Sequence, residues 1–262
     1  MIRMSISKDA TIHPSAIIGE GAVIEEGVVI GQNCRLGHHV IVHRGTRIGD
    51  NVIISDQTVL GKSPFKAVLS AITADKTFDP LQIKEGGVIG ALCVLYLGAT
   101  LAEQVFVGDL ASIREEVAIG RRTIIGKGVT VENRTRIGAR CKIETNAYIT
   151  ALSRIEDDCF IAPEVTFTND NYLGRTEERK KHFKGVTLLR GARVGANATV
   201  LPGLTIGEDG LLAAGSVLTK DLPAGKVFLG VPARYFGDVP EEQLLKNQTF
   251  YIAETQKGDE GC

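Results

Sequence analysis

The 262-residue chain contains no tryptophan, and its Phe and Tyr residues make up only 5% of it. A core of this size usually contains several aromatic rings, because each ring buries a large apolar area. Thirty glycines accompany this shortage of rings. The sequence therefore indicates an interior filled by aliphatic side chains and a backbone that turns often.

No charge of either sign dominates, because 30 Lys and Arg stand against 31 Asp and Glu, for a formal net charge of −1. Binding to nucleic acid needs a basic surface that neutralises phosphates, so we expect no nucleic-acid partner. Long apolar runs are also missing. The longest uncharged stretch, 86–102, is shorter than the roughly 20 residues of a membrane-spanning helix. With no apparent signal peptide after Met1, we expect a cytoplasmic protein without a membrane span.

An aliphatic residue returns every six positions along most of the chain. These lead residues run from Ile12 to Leu60, from Ile83 to Phe167 and from Leu188 to Leu218, and 29 of the 30 are Ile, Leu or Val. An amphipathic helix repeats at 3.6 residues and a strand at two, so neither produces this period. A triangular coil does, with three short strands and 18 residues in each turn. Thirty hexads make ten coils, or about 48 Å at the strand spacing of a sheet.

A second constrained position follows four residues after each lead. It holds a small residue or Val or Thr almost throughout, with Leu204 and Leu222 as departures. The lead and this small residue both point inward in a triangular coil. Gly directly follows twelve leads, where we expect a tight corner with positive φ. The sequence thus predicts an all-β fold, a parallel β-helix of about ten coils.

Four of the five cysteines fall at the small inward position, and no CxxC pair is present. We interpret them as buried thiols that fill space in a reducing compartment, without a disulfide framework and without a metal. These cysteines are Cys34, Cys93, Cys141 and Cys159.

Several outward positions of the predicted strands are apolar. One column contains Val88, Phe106, Ile124 and Phe160, with Lys142 among them, and a second contains Val23, Ile41 and Val59. A contiguous exposed apolar surface usually marks an interface, so we predict a homo-oligomer, for which closed rings are the usual arrangement.

Two segments, 61–82 and 168–187, interrupt the repeat. We expect both to be loops that extend from a corner of the β-helix. The β-helix with its loops is predicted to occupy residues 1–234. A short helix at 240–246, with a tail to residue 262, should follow and cover the open edge of the last coil.

Hexads in this number, followed by AAGSVLTKDLPAGKVFLGVPAR at 213–234, resemble the left-handed β-helix hexapeptide acyltransferases. The resemblance implies a left-handed coil, acetyl-CoA or a similar acyl-CoA as co-substrate, and a homotrimer with sites at subunit junctions. Five shorter segments resemble N-acetyltransferases that act on dTDP-linked 3-amino or 4-amino dideoxy sugars for surface polysaccharides. These segments are LGKSPF at 60–65, GDLASIRE at 108–115, GVTVEN at 128–133, TNAYITA at 145–151 and IAPEVTFTNDN at 161–171.

Counting in steps of 18 places Glu115, Asn133, Ala151 and Asn169 in one column along a corner of the β-helix. The column spans three coils, about 14 Å, so an extended nucleotide-sugar fits along it. We take Glu115 and Asn133 as candidate substrate-binding residues. Asp109 lies on a different corner and is a candidate only through its place in GDLASIRE.

The resemblance implies that the Asn of the FTN motif, here Asn169, lies next to the reacting amine, with Asp170 beside it. The reaction needs an aligned amine and thioester, stabilisation of the oxyanion, and a destination for the amine proton. No His occupies this corner. We therefore predict Asn169 as hydrogen-bond donor to the oxyanion or orienter of the amine, with the proton passing to Asp170, to water or to the departing thiolate.

Coenzyme A is expected along the C-terminal coils. Ala214 lies in a stretch of small residues that suits an extended pantetheine arm, and Lys220 and Arg234 are candidates for its phosphates.

Other functions remain open on the sequence. The main alternative is a hexapeptide acyltransferase with another acceptor, of the serine O-acetyltransferase or lipid A acyltransferase type. The former usually carries a helical domain before the β-helix and the latter a substantial one after it, and we expect neither domain in this chain. A γ-carbonic-anhydrase-like enzyme needs three imidazoles on one zinc. His38 and His43 have the spacing of two of them, but the third position falls on Ile2. A non-catalytic scaffold with flat Thr arrays is less consistent with the mixed outward columns.

Overall fold

The computed structural model describes residues 5–68, 70 and 76–248. Short strands follow one another at the six-residue period, and each strand pairs in parallel with the strand three further along the chain. Three sheets therefore form the faces of a triangular column. This confirms the predicted all-β parallel β-helix.

The strands of each sheet stack in the order in which the chain forms them. Sheet 1 contains β1 (Ser5–Ile6), β4 (Val23–Ile24), β7 (Ile41–Val42), β10 (Val59–Lys62), β13 (Val94–Tyr96), β16 (Ser112–Ile113), β19 (Thr130–Val131), β22 (Tyr148–Ile149), β25 (Thr166–Phe167), β28 (Thr199–Val200) and β31 (Val217–Leu218). Sheet 2 contains β2 (Thr11–Ile12), β5 (Val29–Ile30), β8 (Arg47–Ile48), β11 (Gln82–Ile83), β14 (Thr100–Leu101), β17 (Ala118–Ile119), β20 (Arg136–Ile137), β23 (Arg154–Ile155), β26 (Thr187–Leu188) and β29 (Thr205–Ile206). Sheet 3 contains β3 (Ile17–Ile18), β6 (Arg35–Leu36), β9 (Ile53–Ile54), β12 (Val88–Ile89), β15 (Phe106–Val107), β18 (Ile124–Ile125), β21 (Lys142–Ile143), β24 (Phe160–Ile161), β27 (Arg193–Val194), β30 (Leu211–Leu212), β32 (Lys226–Leu229) and β33 (Arg234–Asp238).

The core is a set of aliphatic ladders along the axis of the column. Leads such as Ile113, Val131 and Ile149 are fully buried, and so are small-position residues such as Val129 and Ala147. Phe167 is the largest fully buried side chain among the described residues. Aliphatic residues stacked at the strand spacing thus fill the interior, which explains the scarcity of aromatic rings.

The β-helix is slightly longer than the predicted ten coils. It begins one hexad earlier, at β1, and β32 extends sheet 3 beyond the last predicted strand. The chain then turns back, and β33 pairs antiparallel with β32. The β32–β33 hairpin covers the end of sheet 3, the role that we expected of a helix.

The predicted helix at 240–246 is wrong as a continuous element. Two 3₁₀ turns, Glu241–Gln243 and Leu245–Asn247, occupy this segment. Leu244 between them is extended, with φ −67° and ψ 143°, and it prevents a continuous helix. The tail predicted beyond residue 248 lies outside the described residues.

The corner geometry also differs from the expectation. The left-handed residue is the third after the lead, as at Asn33 and Gln104, and most glycines that directly follow a lead do not have positive φ. These glycines instead allow the backbones of neighbouring coils to approach each other closely. A Cβ on Gly90 would lie 2.5 Å from the backbone nitrogen of Asp109, one coil further along. Gly is therefore required at such positions by backbone stacking rather than by its φ.

The four cysteines at the small position are free and buried, as predicted for thiols that fill space. Burial raises the pKa of the Cys34 and Cys93 thiols. Contact with Cys141 and burial together raise the pKa of Cys159. None of the helical segments in the described residues is long and apolar enough to span a membrane.

Candidate active site

Both long loops leave the β-helix at the same corner, where sheet 1 passes into sheet 2. The first loop connects β10 to β11 and the second connects β25 to β26. Four coils, those of β13, β16, β19 and β22, lie between them in register. This stretch of corner, about 24 Å long at the strand spacing, is called the site corner below.

The predicted column lies along the site corner. The strands that precede Glu115, Asn133, Ala151 and Asn169 pair in register from β16 to β25. The second loop opens between Asn169 and Lys184, and the Lys184 backbone N–H donates to the Asn169 carbonyl at 3.3 Å. Asn169 is half-buried, and it lies on the site corner at the base of the loop.

Glu115 is only 1% exposed, because Arg114 holds it. The Arg114 Nε donates to Glu115 Oε2 at 2.9 Å, and the same guanidinium lies 3.6 Å from a carboxylate oxygen of Glu132 on the next coil. Asn133, 4% exposed, is buried beside them. Within one protomer, neither side chain is exposed for direct contact with a ligand, so their substrate-binding role stays a prediction.

Glu132 presents the more accessible carboxylate of this corner, with a side chain 23% exposed. Burial raises the pKa of the Glu132 carboxyl, although the Arg114 charge opposes the shift. Burial, followed by the charge of Glu132, also raises the pKa of Tyr148, whose side chain lies outward on β22. A polar wall of one cation, one carboxylate and a phenol thus lines the middle of the site corner, with the Glu115 carboxylate buried behind it.

Tyr96 closes the lower end of this wall. The Arg114 guanidinium lies 4.9 Å from the centre of its ring, and the Lys62 ammonium lies 5.4 Å from the same centre. Both contacts are within the range of cation–π attraction. Sequence reasoning missed Tyr96, Arg114 and Glu132 because it considered only the second residue after each lead. The signal for Arg114 and Glu132 was the pair of motifs GDLASIRE and GVTVEN, which contain them next to the residues that were chosen, whereas Tyr96 lies in neither motif.

Asp170 shapes the second loop. Its carboxylate accepts hydrogen bonds from the backbone N–H of Tyr172 at 2.8 Å and of Gly174 at 2.9 Å, and from Arg179 at 3.1 Å. Desolvation acts to raise the pKa of Asp170, but these three hydrogen bonds hold it below its ordinary value. Such a carboxylate is a poor proton acceptor. The contacts favour a role as loop anchor over the predicted role in proton transfer.

The other charges of the second loop are also largely satisfied within it. Lys180 pairs with Glu177, and both Lys181 and His182 pair with Glu178. The 3₁₀ turn Glu177–Lys181 therefore neutralises much of the basic character that the sequence displays.

Asp109 braces a corner between sheets 3 and 1 and lies away from the site corner. Its carboxylate accepts a hydrogen bond from the backbone N–H of Ala91, 18 residues earlier, at 2.8 Å. Asp50, Asp56 and Asp157 make the same contact with the coil before them. Because this contact repeats along the β-helix, the structure gives Asp109 the role of a corner brace, and its substrate-binding role stays a prediction.

The three candidate coenzyme-binding residues occupy different parts of one protomer. Lys220 follows β31 and lies on the site corner beyond Asn169, whereas Ala214 follows β30 on the corner between sheets 3 and 1. Arg234 begins β33 and donates to the carbonyl of Ala233 at 2.9 Å. All three are exposed, and only Lys220 lies on the same corner as Asn169.

Sequence comparison identifies the repeat. The family described as "Bacterial transferase hexapeptide (six repeats)" matches residues 27–62, and the family "Hexapeptide repeat of succinyl-transferase" matches 116–151 and 190–220. The chain is a hexapeptide-repeat β-helix protein. Its predicted resemblance to the acyltransferases with this fold is confirmed.

Curated relatives of this hexapeptide-repeat protein include acetyltransferases with different acceptors. The galactoside O-acetyltransferase of Escherichia coli (strain K12) is 33% identical over 82 residues, which are 30% of this chain and 40% of that protein. The 2,3,4,5-tetrahydropyridine-2,6-dicarboxylate N-acetyltransferase of Staphylococcus aureus (strain JH9) is 40% identical over 55 residues, 21% of this chain and 23% of that protein. The chain thus matches less than half the length of either relative.

Among solved structures, a UDP-N-acetylglucosamine acyltransferase from Arabidopsis superposes with a TM-score of 0.58 at 17% identity. The match covers 96% of this chain and 79% of that one. At this identity the likeness concerns the fold. In the described part of the hexapeptide-repeat protein, no group of three or more His, Cys, Asp or Glu could hold a metal ion.

Proposed function

We propose that the protein is an acyltransferase that moves an acetyl or similar short acyl group from acyl-CoA to the amino group of a nucleotide-linked amino sugar. The acceptor proposed is a dTDP-linked 3-amino or 4-amino dideoxyhexose for surface polysaccharide synthesis. The acetyltransferase relatives and the hexapeptide repeats support acyl transfer from CoA. The five motif segments quoted above support the choice of acceptor.

One observation carries the proposal: the site corner is the only surface flanked by both long loops in the described part of the chain, and it holds a run of polar and aromatic side chains. Tyr96 offers an apolar ring face, and Arg114 and Glu132 offer a cation and a carboxylate. Asn169 lies three coils beyond Glu115, so an extended acceptor can contact the wall with one part and reach Asn169 with its amine.

In the proposed reaction the neutral amine attacks the thioester carbon, a C–N bond forms, and the C–S bond breaks. The Asn169 side-chain amide donates a hydrogen bond to the oxyanion or orients the amine. Because the Asp170 carboxylate is engaged within the loop, the proton passes to water or to the departing thiolate instead. The thiolate is a competent acceptor, since an ordinary alkyl thiol has a pKa of about 8.5.

Acyl-CoA is proposed to lie along the C-terminal coils, with Lys220 near its phosphates because Lys220 shares the site corner with Asn169. Ala214 and Arg234 fit the same coenzyme only if it bridges two protomers. This agrees with the proposed homotrimer, in which sites form at subunit junctions. The free, buried thiols support the proposed cytoplasmic location.

The test is a thiol-release assay with acetyl-CoA and a panel of dTDP- and UDP-linked amino sugars. Each amino sugar is paired with the matching hydroxy sugar as a control. We expect thiol release with at least one amino sugar nucleotide and none with its hydroxy counterpart. Release only with an acceptor that carries no nucleotide, such as a galactoside, would overturn the proposed acceptor.

A further inference from the structure

Two arginines on the outer face of sheet 2 are direct register partners. Arg136 on β20 lies opposite Arg154 on β23, and neighbouring strands are about 4.8 Å apart. Like charges that face each other on a sheet are destabilising. The Arg136 side chain has neither a hydrogen bond nor an ion pair within residues 5–68, 70 and 76–248, and the Arg154 side chain has only a 3.6 Å ion pair with Glu156. Within the described residues, only the carboxylate of Glu156 offsets this repulsion, and it contacts Arg154 alone.

The pair lies in an open groove of about 860 Å³ along the face of sheet 2. The charged residues of its lining are five arginines and two carboxylates: Arg121, Arg136, Arg140, Arg154, Arg190, Glu156 and Asp157.

Arg121 has an interaction partner of its own, and two more of these arginines are committed to carboxylates. Arg140 holds Asp158 at 2.6 Å and Asp157 at 3.3 Å, and Arg190 holds Asp158 at 3.0 Å. Their positions are therefore fixed at the far edge of the groove. Arg136 and Arg154, both exposed, remain to face a ligand.

The groove adjoins the site corner. Arg136 is three residues beyond Asn133, and Arg154 is three residues beyond Ala151, so each lies within about 10 Å of that corner along the chain. The returning segment of the first loop bounds the adjoining end, where Lys76 pairs with Glu116 and a smaller pocket includes Arg136. A ligand anchored at the site corner would extend directly over Arg136 and Arg154.

We propose that Arg136 and Arg154 bind the diphosphate of the nucleotide-sugar acceptor, an inference that rests on the proposed function. Arginine suits this role because its planar fork donates two parallel hydrogen bonds to phosphate oxygens. A bound dianion also neutralises the charges that the strand register forces together. The sugar then lies at the site corner, next to Asn169, and the nucleotide lies over sheet 2. The phosphates of acyl-CoA are the other phosphate groups that these two arginines can bind.

Binding is measured by isothermal titration calorimetry on the full chain, without turnover, using dTDP, UDP and CoA as separate probes. We expect Arg136→Ala and Arg154→Ala each to weaken nucleoside diphosphate binding about tenfold or more, as for a lost charge-assisted hydrogen bond, while CoA binding stays unchanged. The matched control is Arg47→Ala, because Arg47 lies outward and exposed on β8 of the same sheet, outside the groove. It should leave all three affinities unchanged.

The unliganded variants provide a second readout. Removing one arginine of a repelling pair should leave the melting temperature equal or higher, so a loss of affinity would not reflect misfolding. If Arg136→Ala and Arg154→Ala weaken CoA binding but leave dTDP and UDP binding unchanged, the groove binds CoA and the assignment to the acceptor is overturned. Unchanged affinities for all probes, or an equal loss in Arg47→Ala, would overturn the site altogether. Arginine-dependent binding of dTDP without turnover of any amino sugar would instead refute the proposed function alone.

Discussion

The backbone N–H of Lys184 donates to the carbonyl of Asn169, so the two ends of the second loop meet on one corner of the β-helix. The loop therefore leaves and returns without disturbing the coils, and β26 continues in register with β23. Asn169 gains a fixed backbone position from this closure. The closure does not use the Asn169 side chain.

Replacing Asn169 by Ala tests its proposed contact with the reacting groups. The backbone closure with Lys184 persists in Asn169→Ala, so the loop should stay in place. We expect kcat to fall about 100-fold or more, as when one oxyanion donor is lost, with little change in the melting temperature. The control is Asn171→Ala, at an exposed position of the same loop. Unchanged kcat in Asn169→Ala would exclude Asn169 from the reaction.

The fold and the Asn169 column could be predicted because the repeat converts sequence distance into vertical distance. A lead residue every six positions fixes 18 residues per coil, and counting alone places Asn169 three coils beyond Glu115. The same counting places Cys141 one coil from Cys159 in the core. The described structure agrees with both placements.

Side-chain partners could not be predicted in the same way. The burial of Glu115 depends on the direction that the Arg114 side chain takes, and the bracing role of Asp109 depends on the backbone N–H of Ala91. The hydrogen bonds that engage Asp170 come from a loop that lies outside the repeat. Periodicity gives the positions of residues along a corner but not the contacts of their side chains.

Asp170→Asn separates loop anchoring from proton transfer. The amide keeps the size of the carboxylate but loses the ion pair with Arg179 and part of its hydrogen-bond capacity. If Asp170 anchors the loop, limited proteolysis within 170–184 should become faster and KM should rise about tenfold, with a smaller effect on kcat. Arg179→Gln removes the other member of the Asp170–Arg179 ion pair and should cause the same faster proteolysis and higher KM. A large loss of kcat with unchanged proteolysis would instead restore Asp170 as proton acceptor.

Gly90→Ala tests the close stacking of the corners. The new Cβ would lie 2.5 Å from the backbone nitrogen of Asp109 and 2.5 Å from its Oδ1. We expect the free energy of unfolding, measured by urea denaturation, to fall by about 1–3 kcal/mol, as for overpacking of a core. The control is Gly237→Ala, because a Cβ at Gly237 meets no atom within 4 Å. Equal stability of the two variants would contradict the stacking explanation.

Glu132→Gln tests the raised pKa of the Glu132 carboxyl. Because burial raises this pKa in the folded state, the folded protein binds the proton more tightly than the unfolded chain. The stability contributed by the protonated carboxyl is present below the ordinary value of 4.5 and is lost as the pH rises through the folded-state pKa.

Gln cannot ionise, so the stability of Glu132→Gln relative to the wild type should increase between about pH 4 and about pH 7. Urea denaturation at both pH values measures this difference. Glu208→Gln, at an exposed position with no side-chain hydrogen bond among the described residues, should follow the pH dependence of the wild type. A parallel pH dependence in Glu132→Gln would show that the carboxyl is not perturbed.

Phe106→Glu tests the proposed trimer. Phe106 and Phe160 are 44% and 37% exposed on the outer face of sheet 3, in a register column with Val88 and Ile124 in which Lys142 separates Ile124 from Phe160. This column is on the face opposite the site corner. An exposed apolar column of this kind fits an interface with another copy of the chain. Because the side chain lies outside the core, a Glu at position 106 should leave the β-helix folded but place an unpaired charge in that interface.

Light scattering after size-exclusion chromatography should therefore give a trimer for the wild type and a monomer for Phe106→Glu, with the circular dichroism spectrum unchanged. Val29→Glu is the matched control, since Val29 is 37% exposed on sheet 2, away from the apolar column. If Phe106→Glu and Phe160→Glu both remain trimeric, sheet 3 is not the interface. The junction that contributes to the site corner would then have to involve sheet 1 or sheet 2. A monomeric wild type would refute the trimer itself, and with it the proposal that Ala214 and Arg234 contact acyl-CoA across two protomers.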